Sequence, residues 1–431
     1  MIRFPLENVA GELYVDGVSS LRLAEEFDTP LYVMSEEKIR MQYRRLKDAL
    51  SNHVDRARVL YSAKANSNLA ILRILHEEGA WLDVVSPGEV HLALRAGYRP
   101  DNILYTGTSV RDDELGYLLK EEVMINIDST SQLRRLLRLG IPKLLSVRVN
   151  PMIGAGHHEH VVTAGEASKF GVWEGEALEA YKEAREGGVE RFGIHMHIGS
   201  GIMSVEPYIL ASERLLKVAK EVHESLGVEF EFIDLGGGLG IPYRPDEDEL
   251  NLEEFIKRLM SFIRERIKIH HLGEPEIWME PGRFLVAEAG VLLTRVNTIK
   301  STPTKSYAGV DAGFNTIMRP TLYGAYHHII AAGKLDDPPV KEYDVVGPIC
   351  ESGDILAQGR RLPELAEGDI IAILCAGAYG HSMSSQYNSR PRPAEVLVKR
   401  GEYELIRRRE GMEDLFRGQV IPERLRNPNR C

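Results

Sequence analysis

The chain has 431 residues, of which 43% are apolar, and a formal net charge of −11, so about two or three domains with a sizeable core are possible. The acidic charge argues against a nucleic-acid partner, because such partners usually require a basic patch. No apolar run reaches the length of a membrane span, and residues 1–17 lack the apolar core of a signal peptide, so we expect neither a membrane segment nor a leader.

Residues 1–34 have the pattern of short strands and turns and end in the apolar run LYVM. A helix is predicted to follow, with Ser35 as a suitable N-cap. Its apolar residues recur at helical spacing, at Ile39, Tyr43, Leu46 and Leu50.

Short apolar runs then alternate with helical stretches. Eight of these runs read as strands: VLYSAKA (59–65), WLDVVS (81–86), ILYTG (103–107), MINID (124–128), LLSVRVN (144–150), GIHMHI (193–198), FEFIDLGG (230–237) and IWMEPG (277–282). This alternation predicts parallel βα units with right-handed crossovers. Eight units over about 250 residues are typical of a (β/α)8 barrel, and a doubly wound open sheet is the alternative.

The pattern changes from about residue 292. Strand-like runs there are separated by turns rich in Gly, Pro and Asp: VLLTRVNTIK, SYAGVDAG, EYDVVGPI, DIIAILCAGAYG and AEVLVKRGEYELI. This texture predicts a second, all-β domain.

Polar and glycine residues follow the predicted barrel strands at one common end. They are Lys64 after the first strand, Asp128 after the fourth, Arg148 and Asn150 after the fifth, His197 after the sixth, Gly236–Gly238 after the seventh and Glu280–Arg283 after the eighth. The carboxyl ends of the strands are where (β/α)8 barrels carry their chemistry. Random placement would not gather these residues on one face, so we predict a catalytic site there.

Lys64 and Glu280 suggest the kind of chemistry. A lysine amine at a strand end can form a Schiff base with a carbonyl cofactor, and a carboxylate there can pair with a protonated pyridine nitrogen. We therefore expect pyridoxal phosphate as cofactor. The alternatives are a lysine that only reaches solvent and an ordinary ion pair between Glu280 and Arg283.

A glycine-rich turn, Gly236–Gly240, follows the seventh strand. Glycines allow backbone N–H groups to approach a phosphate closely. The turn does not match G-x-G-x-x-G, because Ile241 occupies the last position, so a dinucleotide site is disfavoured. A plain tight turn is the alternative.

Two histidine patterns raise the possibility of a metal. His195 and His197 alternate on one strand face, as in some barrel hydrolases that bind metals. The cluster 157–160 (HHEH) lies in a polar loop and lacks H-E-x-x-H spacing. We expect no metal at either place.

The three cysteines are Cys350, Cys375 and Cys431. They show neither metal spacing nor a disulfide framework, so a reducing cytoplasm is expected. Cys350 lies in the polar run GPICESGD, where it could serve as an acid, although cysteines more often act as small buried hydrophobes.

In its ordered motifs the chain resembles the diaminopimelate decarboxylases, a family of alanine-racemase-like (fold type III) pyridoxal-phosphate enzymes. The motifs run along nearly the whole chain: YSAKAN (61–66), SPGE (86–89), NIDS (126–129), SKFG (168–171), HMHIGSG (195–201), DLGGGLGIPY (234–243), EPGR (280–283), DAGFNTIMRPTLYGAYH (311–327), CESGD (350–354), and GAYG (377–380) followed by YNSRPRPAEVLV. Each motif is weak alone, but together at this spacing they are specific.

The resemblance implies a role for each matching residue. Lys64 would hold the cofactor, His197 would stack on its ring, and Glu280 would face its ring nitrogen. The phosphate would be bound by Ser200, Gly237, Gly238, Pro281, Gly282, Arg283 and Tyr379. Cys350 would protonate the α-carbon after CO2 leaves, and it would come from the partner subunit of a homodimer together with Glu351.

The implied reaction is the decarboxylation of meso-2,6-diaminopimelate to L-lysine, in lysine biosynthesis. This substrate carries a second amine and carboxylate far from the reacting carbon. Arg283, Arg319, Tyr323 and Tyr379 resemble the substrate binders, since a guanidinium suits a carboxylate, and Glu351 resembles the binder of the distal ammonium. Ornithine and arginine have no distal carboxylate, so the run R-P-x-L-Y favours diaminopimelate.

We therefore predict an α/β plus all-β fold in three parts. Residues 1–34 form N-terminal strands that pack with the C-terminal β domain, 35–291 form the (β/α)8 cofactor-binding barrel, and 292–431 form a β-barrel or sandwich. The chain departs from the family pattern at Cys375, His381 and Gln386. The alternatives left open are a decarboxylase of broad specificity for lysine, ornithine or arginine, a non-catalytic regulatory paralogue, and a metal-dependent barrel hydrolase.

Overall fold

The computed structural model describes residues 3–156, 164–165 and 168–426. Its N-terminal part contains β1 (Leu6–Val9), β2 (Glu12–Val15), β3 (Val18–Ser19), α1 (Ser20–Phe27) and β4 (Leu31–Ser35). The prediction of strands and turns alone is wrong for α1. This two-turn helix forms because the Ser19 hydroxyl caps it, accepting from the Arg22 N–H at 3.0 Å, while Leu23 and Ala24 are buried.

The next segment alternates helices and strands. In chain order it contains α2 (Glu36–Ser51), β5 (Ala57–Ser62), α3 (Leu69–Glu78), β6 (Trp81–Val84), α4 (Pro87–Ala96), β7 (Ile103–Tyr105), α5 (Asp112–Glu121), β8 (Met124–Ile127), α6 (Thr130–Leu139), β9 (Leu145–Asn150), β10 (Ala155–Gly156), β11 (Val172–Trp173), α7 (Glu174–Glu186), β12 (Phe192–His195), β13 (Gly199–Ser200), α8 (Glu206–Leu226), β14 (Phe230–Asp234), α9 (Leu252–Ile269), β15 (Glu276–Met279) and α10 (Arg283–Val286).

Eight parallel strands of this segment close into a barrel, in the order β5-β6-β7-β8-β9-β12-β14-β15. Closure is complete because β15 also pairs with β5. The predicted (β/α)8 barrel is therefore confirmed, and the open doubly wound sheet is wrong. Its lower end is filled by large side chains, with the rings of Phe232 and Trp278 stacked at 3.5 Å.

The first barrel helix begins as predicted. The Ser35 hydroxyl accepts from the Lys38 N–H at 3.2 Å, and all four predicted apolar residues are buried. The strands end earlier than their apolar runs suggest, however. β5 stops at Ser62 and a 3-10 turn over Ala63–Ala65 follows, so Lys64 lies on a turn above the barrel rather than on a strand.

The C-terminal part is mostly β-structure. It contains β16 (Gly290–Ser301), β17 (Ser306–Val310), α11 (Arg319–Tyr323), β18 (Ile329–Ala331), β19 (Lys341–Val346), β20 (Ile355–Leu362), β21 (Ile370–Ile373), β22 (Ala394–Lys399), β23 (Glu402–Arg407) and α12 (Glu423–Arg426). The main sheet runs β20-β19-β17-β16-β4-β22-β23, and β21 pairs with β16 and β18. Of the N-terminal strands, β4 thus joins this sheet, as predicted, whereas β1, β2 and β3 form a separate three-stranded sheet. The short helix α11 was not foreseen.

The exact division of the chain at residues 34 and 291 stays a prediction. Among the described residues, no helix combines the length and apolar character needed to cross a membrane.

A loop after β21 carries the β domain onto the active end of the barrel. The Gly377 N–H donates to the Ala287 carbonyl at 3.1 Å, and the Tyr379 N–H donates to the Ala65 carbonyl at 2.8 Å. The second of these bonds fastens the loop to the turn that carries Lys64. The β domain therefore helps to position this turn.

Replacing Gly377 by Ala should loosen this junction. An added Cβ would lie 2.0 Å from the Val286 carbonyl oxygen and 3.0 Å from the Gly290 nitrogen, and backbone atoms cannot swing aside as side chains do. We expect Gly377→Ala to lower the free energy of unfolding by about 1–3 kcal/mol, as measured by urea unfolding.

Gly116→Ala is the matched control, since nothing lies within 4 Å of its added Cβ on helix α5. This change should raise stability by about 0.5–1 kcal/mol. An unfolding midpoint of Gly377→Ala at or above that of the wild type would contradict the close packing.

Candidate active site

Lys64 is held by a buried carboxylate on the neighbouring strand. Its Nζ donates to Oδ2 of Asp83, which is fully buried on β6. Asp83 also accepts from the hydroxyls of Ser62, at 2.8 Å, and Thr106. Burial alone would lower the pKa of Lys64, but the Asp83 and Glu280 carboxylates outweigh it and raise this pKa.

Glu280 follows β15 and forms a buried cluster with His195 and Asp234. The Nε2 atom of His195 lies 3.3 Å from Oε1 of Glu280, and the donor atoms of all three residues lie within 4.8 Å of one another. Oε1 of Glu280, Oδ2 of Asp234 and both ring nitrogens of His195 have no hydrogen-bond partner among the described residues.

The ionisation of this cluster follows from its burial. Burial, and next the Asp83 carboxylate, raise the pKa of Glu280 to about 8. Burial, and next the Glu280 carboxylate, raise the pKa of Asp234 well above its usual value, whereas burial lowers the pKa of His195 to about 4. The cluster can therefore hold protons near neutral pH. A positively charged hydrogen-bond donor beside it would stabilise its ionised form.

The glycine turn lies against this cluster and leaves no room for side chains. A Cβ on Gly237 would lie 2.0 Å from the Glu280 carbonyl oxygen, and one on Gly238 would lie 2.5 Å from the Gly199 carbonyl oxygen. The Gly237 N–H donates to Nδ1 of His197 at 3.1 Å. The imidazole of His197 is therefore oriented by the turn, and burial holds its pKa well below the usual value.

Arg283 brings a buried cation to the same end of the barrel. Its Nη2 and Nε atoms donate to the Ser200 hydroxyl at 3.1 and 3.2 Å, and its Nη1 donates to the Tyr243 hydroxyl at 2.6 Å. Its guanidinium also lies 4.9 Å from the ring centre of Tyr379. Arg283 forms no ion pair with a carboxylate in the described part of the chain, so its charge is available to an anion.

Arg319 is the second such cation. It is only 2% exposed and lies 4.8 Å from the ring centre of Tyr243. Tyr323 follows on the same short helix, and both residues line a cavity of about 770 Å³ next to Tyr243. The two buried arginines thus flank one tyrosine beside the Lys64 centre.

The remaining predicted strand-end residues, Asp128, Asn150 and Arg148, contact the loops that follow the strands. Asp128 accepts from the Gly171 N–H at 2.9 Å, and Asn150 bonds to the backbone of Met152 and Gly165. Arg148 lies 4.6 Å from the ring centre of Phe170. These contacts favour a supporting role for Asp128 and Asn150.

Cys350 and Glu351 lie elsewhere. Both are exposed in the β domain, where the Cys350 N–H donates to Oδ1 of Asn388 at 2.8 Å and the Tyr387 hydroxyl donates to Glu351 at 2.6 Å. No contact joins either residue to Lys64 or Glu280 in the described part of one chain. The structure therefore brings together the predicted cofactor residues, but not these two, and every assigned role stays a prediction.

Sequence reasoning missed four residues of the site: Asp83, Asp234, Tyr243 and His327. The two aspartates had a usable signal, because each is a charged residue inside an otherwise apolar strand pattern. Tyr243 and His327 stood within quoted motifs, but nothing in their spacing set them apart.

The two histidines of the first metal pattern differ in their surroundings. His195 groups with Asp234 and Glu280, a set whose ligand atoms could hold a metal ion, whereas His197 is not in this group and its Nδ1 accepts from the Gly237 N–H. The cluster 157–160 lies outside the described residues.

The three departures from the family pattern, at Cys375, His381 and Gln386, have identifiable contacts. Cys375 is buried and its Sγ lies 4.0 Å from the Pro242 carbonyl oxygen, and burial raises the pKa of its thiol to about 12. His381 contacts the Pro393 carbonyl, and Gln386 donates to Glu410 at 2.8 Å.

Pyridoxal phosphate fits the residues present. The buried, unpartnered Oε1 of Glu280 can accept from a protonated ring nitrogen, and the glycine turn and Arg283 offer backbone N–H groups and a cation to a phosphate. Lys64 supplies the amine.

Comparison with known proteins agrees with this chemistry. A family model described as pyridoxal-dependent decarboxylase, pyridoxal binding domain, matches residues 36–287. A diaminopimelate decarboxylase from Methanothermobacter thermautotrophicus is 55% identical over 97% of this chain and 98% of its own length.

Solved structures give the same answer. Diaminopimelate decarboxylase from M. jannaschii, in co-complex with L-lysine, matches with a TM-score of 0.89 at 36% identity, covering 97% of this chain and 98% of that one. A lysine/ornithine decarboxylase from Vibrio vulnificus, at 23% identity and a TM-score of 0.76 over 88% and 97% of the two chains, shares the fold. This chain belongs to the diaminopimelate decarboxylase family of pyridoxal-dependent decarboxylases.

Proposed function

We propose that this protein uses pyridoxal phosphate to convert meso-2,6-diaminopimelate to L-lysine and CO2. The observation that carries the proposal is a pair of buried arginines, Arg283 and Arg319, without carboxylate partners in the described residues, beside the Lys64–Glu280 centre. Such cations suit a ligand with several anionic groups. Family membership points to the same reaction.

The cofactor would be held by residues at the carboxyl end of the barrel strands. Lys64 would bind it covalently, His197 would lie against its ring, and Glu280 would accept from its ring nitrogen. Bound pyridoxal phosphate supplies an electron sink for the bond pair released when CO2 leaves. Glu280 would favour a protonated ring nitrogen, because its Oε1 is a buried acceptor without a hydrogen bond among the described residues.

The phosphate would be bound at the other side of the site. The candidate donors are the Gly238 N–H, the Ser200 hydroxyl and the backbone around Gly282, with Pro281 shaping the turn. The Gly237 N–H, also predicted to bind the phosphate, would have to leave Nδ1 of His197. Tyr379 would assist through its hydroxyl, which lies 3.3 Å from the position of a Cβ on Gly282.

The proton balance needs one further group. The bond from the α-carbon to the carboxylate breaks, CO2 departs, and the electron pair left at that carbon takes up a proton. A thiol can supply this proton, and Cys350 is the predicted donor. Because Cys350 is exposed and makes no contact with Lys64 within the described residues of one chain, the proposal includes a homodimer in which the partner supplies Cys350 and Glu351.

Substrate choice would rest on the distal end of diaminopimelate. Arg319 and Tyr323, with Arg283 and Tyr379, would bind its carboxylate, and Glu351 would bind its ammonium. Lysine, ornithine and arginine carry no distal carboxylate, so a decarboxylase for these substrates would leave the Arg319 charge unused. A regulatory paralogue has no need to retain both Lys64 and Cys350.

The proposed compartment is the cytoplasm. The two cysteines in the described part of the chain, Cys350 and Cys375, are free thiols, as is usual in a reducing compartment.

The first test of the function is CO2 release from purified, cofactor-loaded protein. Meso-diaminopimelate, L-lysine, L-ornithine and L-arginine would be offered separately, and we expect release from diaminopimelate alone. Lys64→Ala should abolish both this release and the absorbance band of the lysine-linked cofactor, because the covalent link is lost. Release from ornithine or lysine would overturn the substrate, and a fully active Lys64→Ala variant would overturn the role of the lysine.

The raised pKa of Glu280 predicts a pH-dependent stability of the cofactor-free protein. A carboxyl whose pKa is raised on folding stabilises the fold while protonated, and this stability is lost as the pH rises towards about 8. Burial lowers the pKa of His195 from 6.5 to about 4. Its contribution to the free energy of unfolding therefore varies with pH only below about 6.5. Between pH 6.5 and 8 we expect stability to fall.

Urea unfolding across this pH range measures the effect. Glu280→Gln should reduce the slope by up to about 1.4 kcal/mol per pH unit, leaving the part that Asp234 contributes. Glu229→Gln, at an exposed position, is the control and should keep the wild-type slope. Equal slopes in Glu280→Gln and wild type would show that Glu280 is ionised in the folded protein.

A mixed-dimer experiment tests the shared site. Lys64→Ala and Cys350→Ala should each be strongly impaired, but in a dimer of one Lys64→Ala and one Cys350→Ala subunit one of the two sites retains both residues. Random mixing makes about half of the dimers mixed, so about a quarter of the wild-type activity should return. Differently tagged subunits verify the mixing, and no recovery in verified mixed dimers would contradict the composite site.

A further inference from the structure

Arg319 is held in place without being neutralised. It is 2% exposed, and in the described part of the chain no carboxylate lies within ion-pair distance of its guanidinium. Burying a charge without an opposite charge is costly unless hydrogen bonds and polarisable groups surround it. The surrounding groups are the Tyr243 ring at 4.8 Å and the imidazole of His327.

His327 is fully buried, and its two contacts fix its tautomer. Its Nδ1 lies 2.8 Å from the Leu374 carbonyl oxygen, which can only accept, so Nδ1 carries the hydrogen. Its Nε2 lies 2.7 Å from Nη1 of Arg319, which can only donate, so Nε2 is the acceptor. Burial, and next the Arg319 cation, lower the pKa of His327 to about 3, in agreement with a neutral ring.

A third residue completes the arrangement. The Tyr243 ring packs edge-on against His327, with ring centres 5.3 Å apart, and also lies against Arg319. The guanidinium is thus bonded at one Nη and covered on a face by an aromatic ring. Arg319 also lines the cavity of about 770 Å³, together with Tyr323.

We propose that His327 is a positioning residue for substrate recognition: it orients Arg319 towards the distal carboxylate of the substrate while leaving the full positive charge available. This inference rests on the proposed function. A carboxylate at position 327 would orient Arg319 equally well but would neutralise it and compete with the substrate. A neutral acceptor anchored to a backbone carbonyl gives the orientation without this competition.

Ligands that differ only in the distal carboxylate provide the test. Meso-diaminopimelate has one L and one D centre, and L-lysine retains the L centre, so the carboxylate of L-lysine is the distal one. The diamine 1,5-diaminopentane lacks it. The ratio of the two dissociation constants, measured by calorimetry on cofactor-loaded protein, therefore reports the carboxylate contact alone.

The wild type should bind L-lysine more tightly than 1,5-diaminopentane. His327→Ala should shrink this preference by about tenfold, since a hydrogen bond to a charged group is lost, and should leave the affinity for the diamine unchanged. In turnover, KM for diaminopimelate should rise with little change in kcat, because the contact is made in both ground and transition states.

Two further variants keep the test decisive if His327→Ala folds poorly. His327→Gln retains an uncharged acceptor and should keep most of the lysine preference, whereas His327→Glu pairs with Arg319 and should lose it. His328→Ala, at the adjacent half-buried residue that contacts Tyr326, is the matched control and should behave as wild type.

The outcomes separate the two proposals. A wild type without any preference for L-lysine would overturn the distal-carboxylate site and the inference with it. A wild-type preference that survives in His327→Ala, or that is equal in His327→Gln and His327→Glu, would overturn the role of His327 alone.

Discussion

The site depends on ionisable groups that are buried without an oppositely charged group bonded to them: Glu280, which can take up a proton near neutral pH, and Arg283 and Arg319, which are held by neutral groups. Each buried ion loses hydration worth several kcal/mol, so a fold keeps such groups only where the surrounding structure leaves them no alternative. Here Glu280 lies beside another carboxyl and a neutral imidazole, while Arg283 and Arg319 are bonded to hydroxyls and an imidazole. A cationic group beside Glu280 would favour its ionised form, and anionic groups would balance the two arginines, so ligand binding would also complete the site.

Two domains supply this confinement jointly. The barrel provides the strand ends, but the loop after β21 covers them and bonds to the turn that carries Lys64. The glycines at 237 and 377 permit backbone approaches that a single Cβ would block at 2.0 Å. The chain also contributes β4 to the sheet of the β domain before it enters the barrel. The barrel is therefore connected to the β domain at both its N-terminal and its C-terminal end.

The sequence predicts the barrel well because period and composition are properties of each strand and helix separately. The same holds for Lys64 and Glu280, whose place at strand ends follows from chain order. It does not predict α1, because an eight-residue helix between strands carries too few turns to display a period. Nor can it predict the partner of Arg319, since His327 lies beyond a helix and a turn and its contact depends on tertiary packing.

The three cations assigned to the cofactor or the substrate differ in how they are balanced, and the difference matches what each must do. Lys64 is paired with the carboxylate of Asp83, whose own pKa is lowered despite burial by the lysine and two hydroxyls. An amine that forms a covalent bond does not need its charge to attract a ligand, so a carboxylate partner does no harm. Arg283 and Arg319 act through charge, and both are held only by neutral groups. The choice of partner, anionic for the lysine and neutral for the arginines, therefore distinguishes the residue that reacts from the residues that bind.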